Sequence, residues 1–406
     1  METAAVAPRV VDVDSHVSEP PDLWLSRLPA KWAEVAPQIS WHAAEESEYW
    51  YIGGAPVTAA WKSAMAGWPE YPPSHPRKQA EADPASFDPH ARASRLREFG
   101  VGAQVLYPNV VWFRIRSILE VADVEFQTAC IRAYNDFTAD FAAAVPGVFV
   151  PLTVLPLWDL DEAIAEMERC LALGHRGVAF PGAPNAVEGL PPLASPHWYR
   201  LWEAVQANNL SVNFHIGFGE GRTARASRTA SAPADARARA IRSLRAGRDA
   251  AEAVRDTSLR LMQNADVIAD LICGGICERF PELKFVSTES GYGYVPYLLD
   301  MLDWDWVGLG AAKLNPGWLR PSEYFRRQIL VTFWFEDETL RRLADLYPDN
   351  IMFETDFPHV ACIAPGPISQ SGTARELLDR NLAGMDAGLR DRILYTNAAR
   401  IYGLTP

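Results

Sequence analysis

The sequence predicts an α/β fold, a (β/α)8 TIM barrel with insertions after strands 1 and 5, and three observations carry that prediction. Short β-branched runs alternate with longer amphipathic stretches, the pattern of βα units around a parallel sheet. Eight such runs can be counted, the number a closed barrel requires. Ionisable residues stand at the C-terminal ends of several runs, the face on which barrel enzymes build their sites.

The eight predicted strands are Arg9–Val17, Gly102–Pro108, Val148–Leu155, Gly177–Phe180, Leu210–His215, Leu283–Glu289, Ile329–Phe335 and Asn350–Asp356. Leu160–Leu173 and Trp198–Asn208 read as helices between them. In the first, Asp159 or Asp161 serves as N-cap and Gly174 follows the last turn. Two segments break the repeat, at about 20–86 and 216–265. Both follow a strand and so sit at the barrel mouth, where such loops form lids. One barrel domain over 1–406 is expected.

Composition narrows the function classes. Of 406 residues 49% are hydrophobic and 22% charged, enough apolar material for a large core. The net charge of −13 argues against nucleic acid as a partner. No apolar run is long enough to span a membrane, and METAAVAPRVVDVD lacks a signal-peptide core, so a cytoplasmic enzyme is expected. The five cysteines are odd in number and scattered, which is not a disulfide framework; Cys273 and Cys277 read as packed thiols. The arginine-rich stretch Gly221–Arg260 reads as a solvated helix pair or mobile lid, or as a flap that recognises a phosphate or carboxylate. Many of the 14 tryptophans fall at Trp24, Trp32, Trp41, Trp50, Trp61 and Trp68, with Trp304 and Trp306 later. They read as core and lid packing, or as the lining of an apolar substrate pocket.

The strand ends carry the chemistry. Strand 1 reads VVDVDSHV, and its alternation sends Asp12, Asp14 and His16 to one face. Strand 5 ends in His215, strand 6 in Glu289, and strand 8 carries Glu354 and Asp356. A buried carboxylate is costly unless paired or metal-bound. Histidines and acids from four strands therefore point to a metal. The candidate ligands are Asp14, His16, Glu19, His215, Glu289 and Asp356, with Asp12 a structural partner. Glu354 and His359 would orient the ligands.

The order DVDSHVSEPPDLW, NFHIG, FVSTESGYGYVP and IMFETDFPH resembles the amidohydrolase-related (amidohydrolase 2) family of metal-dependent TIM barrels. GAQVLYPN and GHRGVAFPG add to the likeness, which runs from about residue 10 to the closing NAARIYGL. The resemblance implies hydrolases, non-oxidative decarboxylases or hydratases. Relatives carry His-x-His on strand 1, where this chain has Asp14-Ser15-His16, and often a catalytic histidine at the end of strand 6, where Glu289 stands. The strand-4 lysine of other members has no counterpart in GVAFPG. Two imidazoles with four carboxylates match the donor set of di-iron carboxylate sites, and the chain resembles the di-iron monooxygenase branch of platensimycin-type diterpenoid biosynthesis.

The leading expectation is thus a non-haem di-iron monooxygenase holding two Fe ions and hydroxylating a hydrophobic small molecule with O2. The substrate would be a coenzyme A thioester if the arginine-rich insertion holds its phosphates, and an electron donor would be a partner. The alternative is a mononuclear Zn or Mn hydrolase or decarboxylase. In it His16, His215 and Asp356 bind the metal and Asp356 or Glu289 shuttles protons; Glu289, Asp356 and His359 are the expected catalytic residues. A homodimer is expected on base rate alone.

Overall fold

The computed structural model describes residues 10–187, 189–218 and 250–405. Its main sheet consists of β1 (Val11–His16), β5 (Ala103–Tyr107), β6 (Phe149–Pro151), β7 (Thr153–Val154), β8 (Gly177–Pro181), β9 (Ser211–His215), β10 (Lys284–Ser287), β11 (Ile329–Phe333) and β12 (Ile351–Phe353). All its pairings are parallel, in the order β6-β5-β1-β12-β11-β10-β9-β8-β7. The two ends of that order, β6 and β7, are one strand interrupted at Leu152. The sheet therefore closes on itself as an eight-stranded barrel, as the sequence predicts.

Each predicted strand is present within a few residues of its predicted bounds. Helices cover the outside. The segment Leu160–Ala172 is helical, with Asp159 accepting from the N–H groups of Asp161 and Glu162. The barrel interior is filled by Val11, Val13, Val105, Tyr107, Val286 and Met352 with their neighbours. A second, larger apolar layer lies between strands and helices.

Strand β1 departs from simple alternation. Asp12 pairs with Gln104 but Ser15 pairs with Leu106, so three residues of β1 span two of β5. Such a bulge reverses which face the following side chains take. His16 then stands beside the inward Tyr107, while Asp12 stands beside Gln104 on the opposite face. The expectation that Asp12, Asp14 and His16 share a face is corrected: the bulge separates Asp12 from the other two.

The first insertion holds a sheet that the sequence reading missed. Strands β2 (Gln38–His42), β3 (Ser47–Ile52) and β4 (Ala55–Ala59) form an antiparallel meander. Gly53 and Gly54 join the last two with φ of 61° and 77°, the left-handed pair a tight hairpin requires. Cys277 is buried as expected, but Cys273 is exposed. The helix Asn264–Cys273 stops there and a left-handed Gly275 starts a new turn, so the two thiols do not share one helix face. No helix among the described residues is long and apolar enough to cross a membrane. Most of the arginine-rich stretch, 219–249, lies outside the described residues; 250–261 is helical.

Candidate metal centre

The predicted strand-end residues converge at the C-terminal mouth of the barrel. Asp14 and His16 come from β1, His215 from the last position of β9, Glu289 from the turn after β10 and Asp356 from the turn after β12. Glu289 and Asp356 have φ of 50° and 55°. Residues other than glycine occupy that region at a cost, and they cluster where function requires a fixed direction.

The two imidazoles are locked by their outer nitrogens. His16 Nδ1 faces the Pro108 carbonyl at 3.3 Å, and His215 Nδ1 faces the Ile216 carbonyl at 2.7 Å. A carbonyl only accepts, so each Nδ1 carries the ring proton and each Nε2 keeps a lone pair. Burial pushes both residues towards the neutral form, His215 down to about 3. The two Nε2 atoms nevertheless stand 2.9 Å apart. Two lone pairs repel at that distance unless a cation binds both.

Asp14 supplies the countercharge. It is fully buried, and neither carboxylate oxygen has a hydrogen-bond partner. Its Oδ1 lies 3.7 Å from His16 Nε2 and its Oδ2 3.7 Å from His215 Nε2. Asp356 Oδ1 stands 3.6 Å from His16 Nε2 and Glu289 Oε2 3.2 Å from His215 Nε2. Donors about 2.1 Å from one ion lie about 3.0–3.4 Å from each other at tetrahedral or octahedral angles. The observed spacings, 2.9–3.7 Å, therefore suit a shared cation. Burial and the surrounding acids hold the Asp14 and Asp356 carboxyls well above the usual carboxylate range, a cost that a bound cation reverses.

Other acids take supporting positions. Glu354 is buried and accepts the Glu289 N–H at 3.0 Å, with its second oxygen unpartnered. Asp12 accepts from the Thr355 N–H at 2.8 Å, from the Thr355 hydroxyl and from Gln104 at 2.7 Å, the structural role predicted for it. Glu19 does not join the donor groups. Its Oε1 accepts the N–H groups of Asn109 and Val110 at 3.0 and 2.8 Å, capping the short helix Val110–Phe113. Arg92, buried and unanticipated, donates to the carbonyls of His16, Ser86 and Ala85 and so holds the end of β1.

His359 is closer to the centre than expected. Its Nε2 donates to Asn109 Oδ1 at 2.9 Å, and its Nδ1 lies 2.8 Å from Asp356 Oδ1. Asp356 Oδ1 has no hydrogen-bond partner, so that second contact is a close approach and not a hydrogen bond. Burial pushes His359 down to about 3, which keeps its ring neutral, and holds the Asp356 carboxyl well up. His16, Asp356 and His359 form a second donor group. The His16 and His359 rings are stacked, 3.9 Å apart at 23°, so their in-plane lone pairs do not converge. The one Nε2 lone pair of His16 already faces the first group. Among the described residues the geometry thus provides one complete centre.

A cavity of about 330 Å3 opens over this centre, bounded by Glu289, Asp356 and His359 below. Its apolar walls are Trp50, Val110, Phe113, Ile216, Leu261 and Trp334. Of the tryptophans singled out in the sequence only Trp50 contributes. Trp24, Trp32 and Trp61 are core, and Trp41 and Trp304 are exposed.

A model of the amidohydrolase family matches residues 12–404. The chain belongs to that family. This amidohydrolase-superfamily chain is a metal-dependent enzyme, and Asp14, His16 and His215 lie close enough together to hold an ion. It is 24% identical over 273 residues to a gamma-resorcylate decarboxylase from Polaromonas sp., covering 66% of this chain and 76% of the relative. Among solved structures it is similar to an amidohydrolase from Mycobacterium avium subsp. paratuberculosis. That match has 21% identity, a TM-score of 0.71 and coverage of 99% of each chain. A dihydroxybenzoic acid decarboxylase from Polaromonas sp. with bound manganese and the inhibitor 2-nitroresorcinol matches at 17% identity and a TM-score of 0.57. It covers 98% of this chain and 97% of that one.

Proposed function

We propose that this amidohydrolase is a mononuclear metal-dependent decarboxylase that removes a carboxylate from an aromatic or similarly unsaturated acid without using oxygen. The observation that carries the reading is Asp14: a fully buried carboxylate, unpartnered, facing two imidazole nitrogens that both present lone pairs. Asp14, His16, His215 and Asp356 would hold the ion, with Mn or Zn suiting a mixed nitrogen and oxygen donor set. Bound there, it would supply a positive charge that orients an anionic substrate and stabilises charge building on it. Decarboxylase relatives, one of them manganese-bound, support the choice of reaction.

The chain's own groups divide the remaining work. The aromatic walls exclude water and hold a flat ring. The carbon–carbon bond to the carboxylate breaks, carbon dioxide leaves, and the electron pair stays on the ring carbon. A proton must then reach that carbon. Asp356 would be taken up by the ion, whereas Glu289, which lines the cavity, stands where relatives often carry a histidine. Glu289 is the proton donor of the reading.

The di-iron oxygenase expectation drew on six ligands including Glu19. With Glu19 occupied as a helix cap and His16 shared between the two donor groups, a two-ion donor set is short of ligands. The decarboxylase reading is tested by incubating manganese-loaded protein with hydroxylated benzoates in D2O under nitrogen. Carbon dioxide should appear with one deuterium on the ring carbon that lost it. Recovery of every benzoate unchanged, across ring-hydroxylation patterns, sinks the reading.

A further inference from the structure

One four-residue helix, Val110–Phe113, is tied to three sides of the metal centre. At its start Glu19 Oε1 accepts the N–H groups of Asn109 and Val110 at 3.0 and 2.8 Å. The Asn109 side chain donates to the Val17 carbonyl, just past β1, at 2.9 Å, and its Oδ1 accepts from His359 Nε2 at 2.9 Å. Towards the other end Trp112 Nε1 donates to the Ile216 carbonyl at 3.0 Å, the same oxygen that His215 Nδ1 faces at 2.7 Å. The helix is thus bonded to the chain after β1, after β9 and after β12.

Phe113 is the last residue of that helix, and those bonds fix its place. Its ring centroid stands 5.9 Å from that of His16, 5.6 Å from that of His215 and 6.0 Å from that of His359. No other phenylalanine, tyrosine or tryptophan among the described residues makes a ring contact with all three imidazoles. The side chain is half-buried and lines the cavity, so it covers the imidazoles and still meets the space above them. A cyclic acid whose carboxylate reaches the ion has its ring beside Phe113. Aromatic pairs favour centroid separations of about 4.5–7 Å, offset or edge to face, and gain more than the burial of area alone. A saturated ring is puckered, has no π face and forms no such pair.

We infer that Phe113 is the specificity-determining residue of the site: it holds a flat unsaturated ring with its carboxylate at the ion and discriminates against saturated acids of the same charge. The inference rests on the decarboxylase reading and names the residue that selects its substrate class. Such selection needs a rigid platform, because a side chain free to turn away accommodates either ring. The bonds from Glu19, Asn109 and Trp112 supply that rigidity without filling the cavity.

The test titrates manganese-loaded full-length protein by calorimetry with benzoate and cyclohexanecarboxylate, which have the same number of carbons and the same charge. The wild type should bind benzoate about three-fold to ten-fold tighter, the range of one aromatic pair. Phe113→Leu and Phe113→Met, apolar but without a flat face, should make the two ligands equal by weakening benzoate alone, with manganese content and thermal midpoint at wild-type values. Phe113→Trp should keep the preference, and where one replacement fails to fold the others decide. Equal wild-type affinity for the two ligands overturns the platform, and so does a preference that survives Phe113→Leu and Phe113→Met. Loss of manganese from both of those variants assigns the ring to shielding the imidazoles and also overturns it. No binding of either ligand to the wild type overturns it as well. In each case the decarboxylase reading stands or falls separately, on deuterium incorporation into hydroxylated benzoates.

Discussion

Asp14 is buried at the site with neither carboxylate oxygen partnered, a cost that a bound metal offsets. Replacing it with Asn keeps the shape and removes the charge that two imidazoles face. Metal affinity should fall by more than about 100-fold, beyond the 10–100-fold typical of outer partners. Competition with a fluorescent chelator measures it. Glu289→Gln separates binding from chemistry: metal stoichiometry stays at the wild-type value while kcat falls by about 100-fold to 10,000-fold, the range for a lost proton donor.

A pH dependence follows with a definite sign. Burial holds the Asp14, Glu354 and Asp356 carboxyls up, and His16 and His215 down. The metal-free site thus keeps protons on its acids to higher pH than free carboxylates do, and a cation displaces them. Metal affinity should rise with pH across the range where these acids titrate, above that of free carboxylates, with at least one proton released per ion. Calorimetry in buffers of different ionisation enthalpy counts it, and a pH-independent affinity contradicts it.

The ligand positions on β1, β9 and β12 were legible because polar residues broke apolar runs. The role of Glu19 was not: its acceptance of the Asn109 and Val110 N–H groups depends on a contact about 90 residues away, invisible to local pattern. His359 was read as an orienting residue, and its 2.8 Å approach to Asp356 depends on how the turn after β12 folds.

At the scale of elements, the bulge in β1 decides the site. Without it Asp14 would follow the outward face of Asp12, and alternation alone gave the wrong grouping. Asp12 works from that outer face, tying β1 to Thr355 after β12 and to Gln104 on β5. Asp12→Ala leaves a buried N–H and a buried amide unsatisfied, at about 1–3 kcal/mol each. Urea unfolding of the metal-free protein should show a loss of about 3 kcal/mol. A loss under 1 kcal/mol contradicts the assigned clamp.

The hairpin β3–β4 was within reach of the sequence, since SEYWYI alternates and Gly53-Gly54 is a turn pair. The surrounding Trp, Pro and Tyr residues, read as irregular lid, concealed it. Its consequence is functional, because Trp50, Thr58 and Ala59 bring this sheet to the cavity wall.

At the scale of the molecule, closure of the barrel was predictable because each βα unit carries its own periodicity. The metal count was not, because a tally of acids does not say which ones face each other. Once the faces are known, six candidate ligands reduce to one centre with flanking acids. A fold that buries several acids together is stabilised by the cation that pairs them. Chelation should therefore lower the thermal midpoint, and Mn or Zn should restore it.

The most direct measurement is the elemental content of the purified chain, read together with turnover of an aromatic acid in the presence and absence of dioxygen. The account predicts about one divalent ion per chain, consistent with the single complete centre, and identical carbon dioxide release under air and nitrogen. Two irons per chain with product formed only under air, and oxygen incorporated into it, would contradict the account.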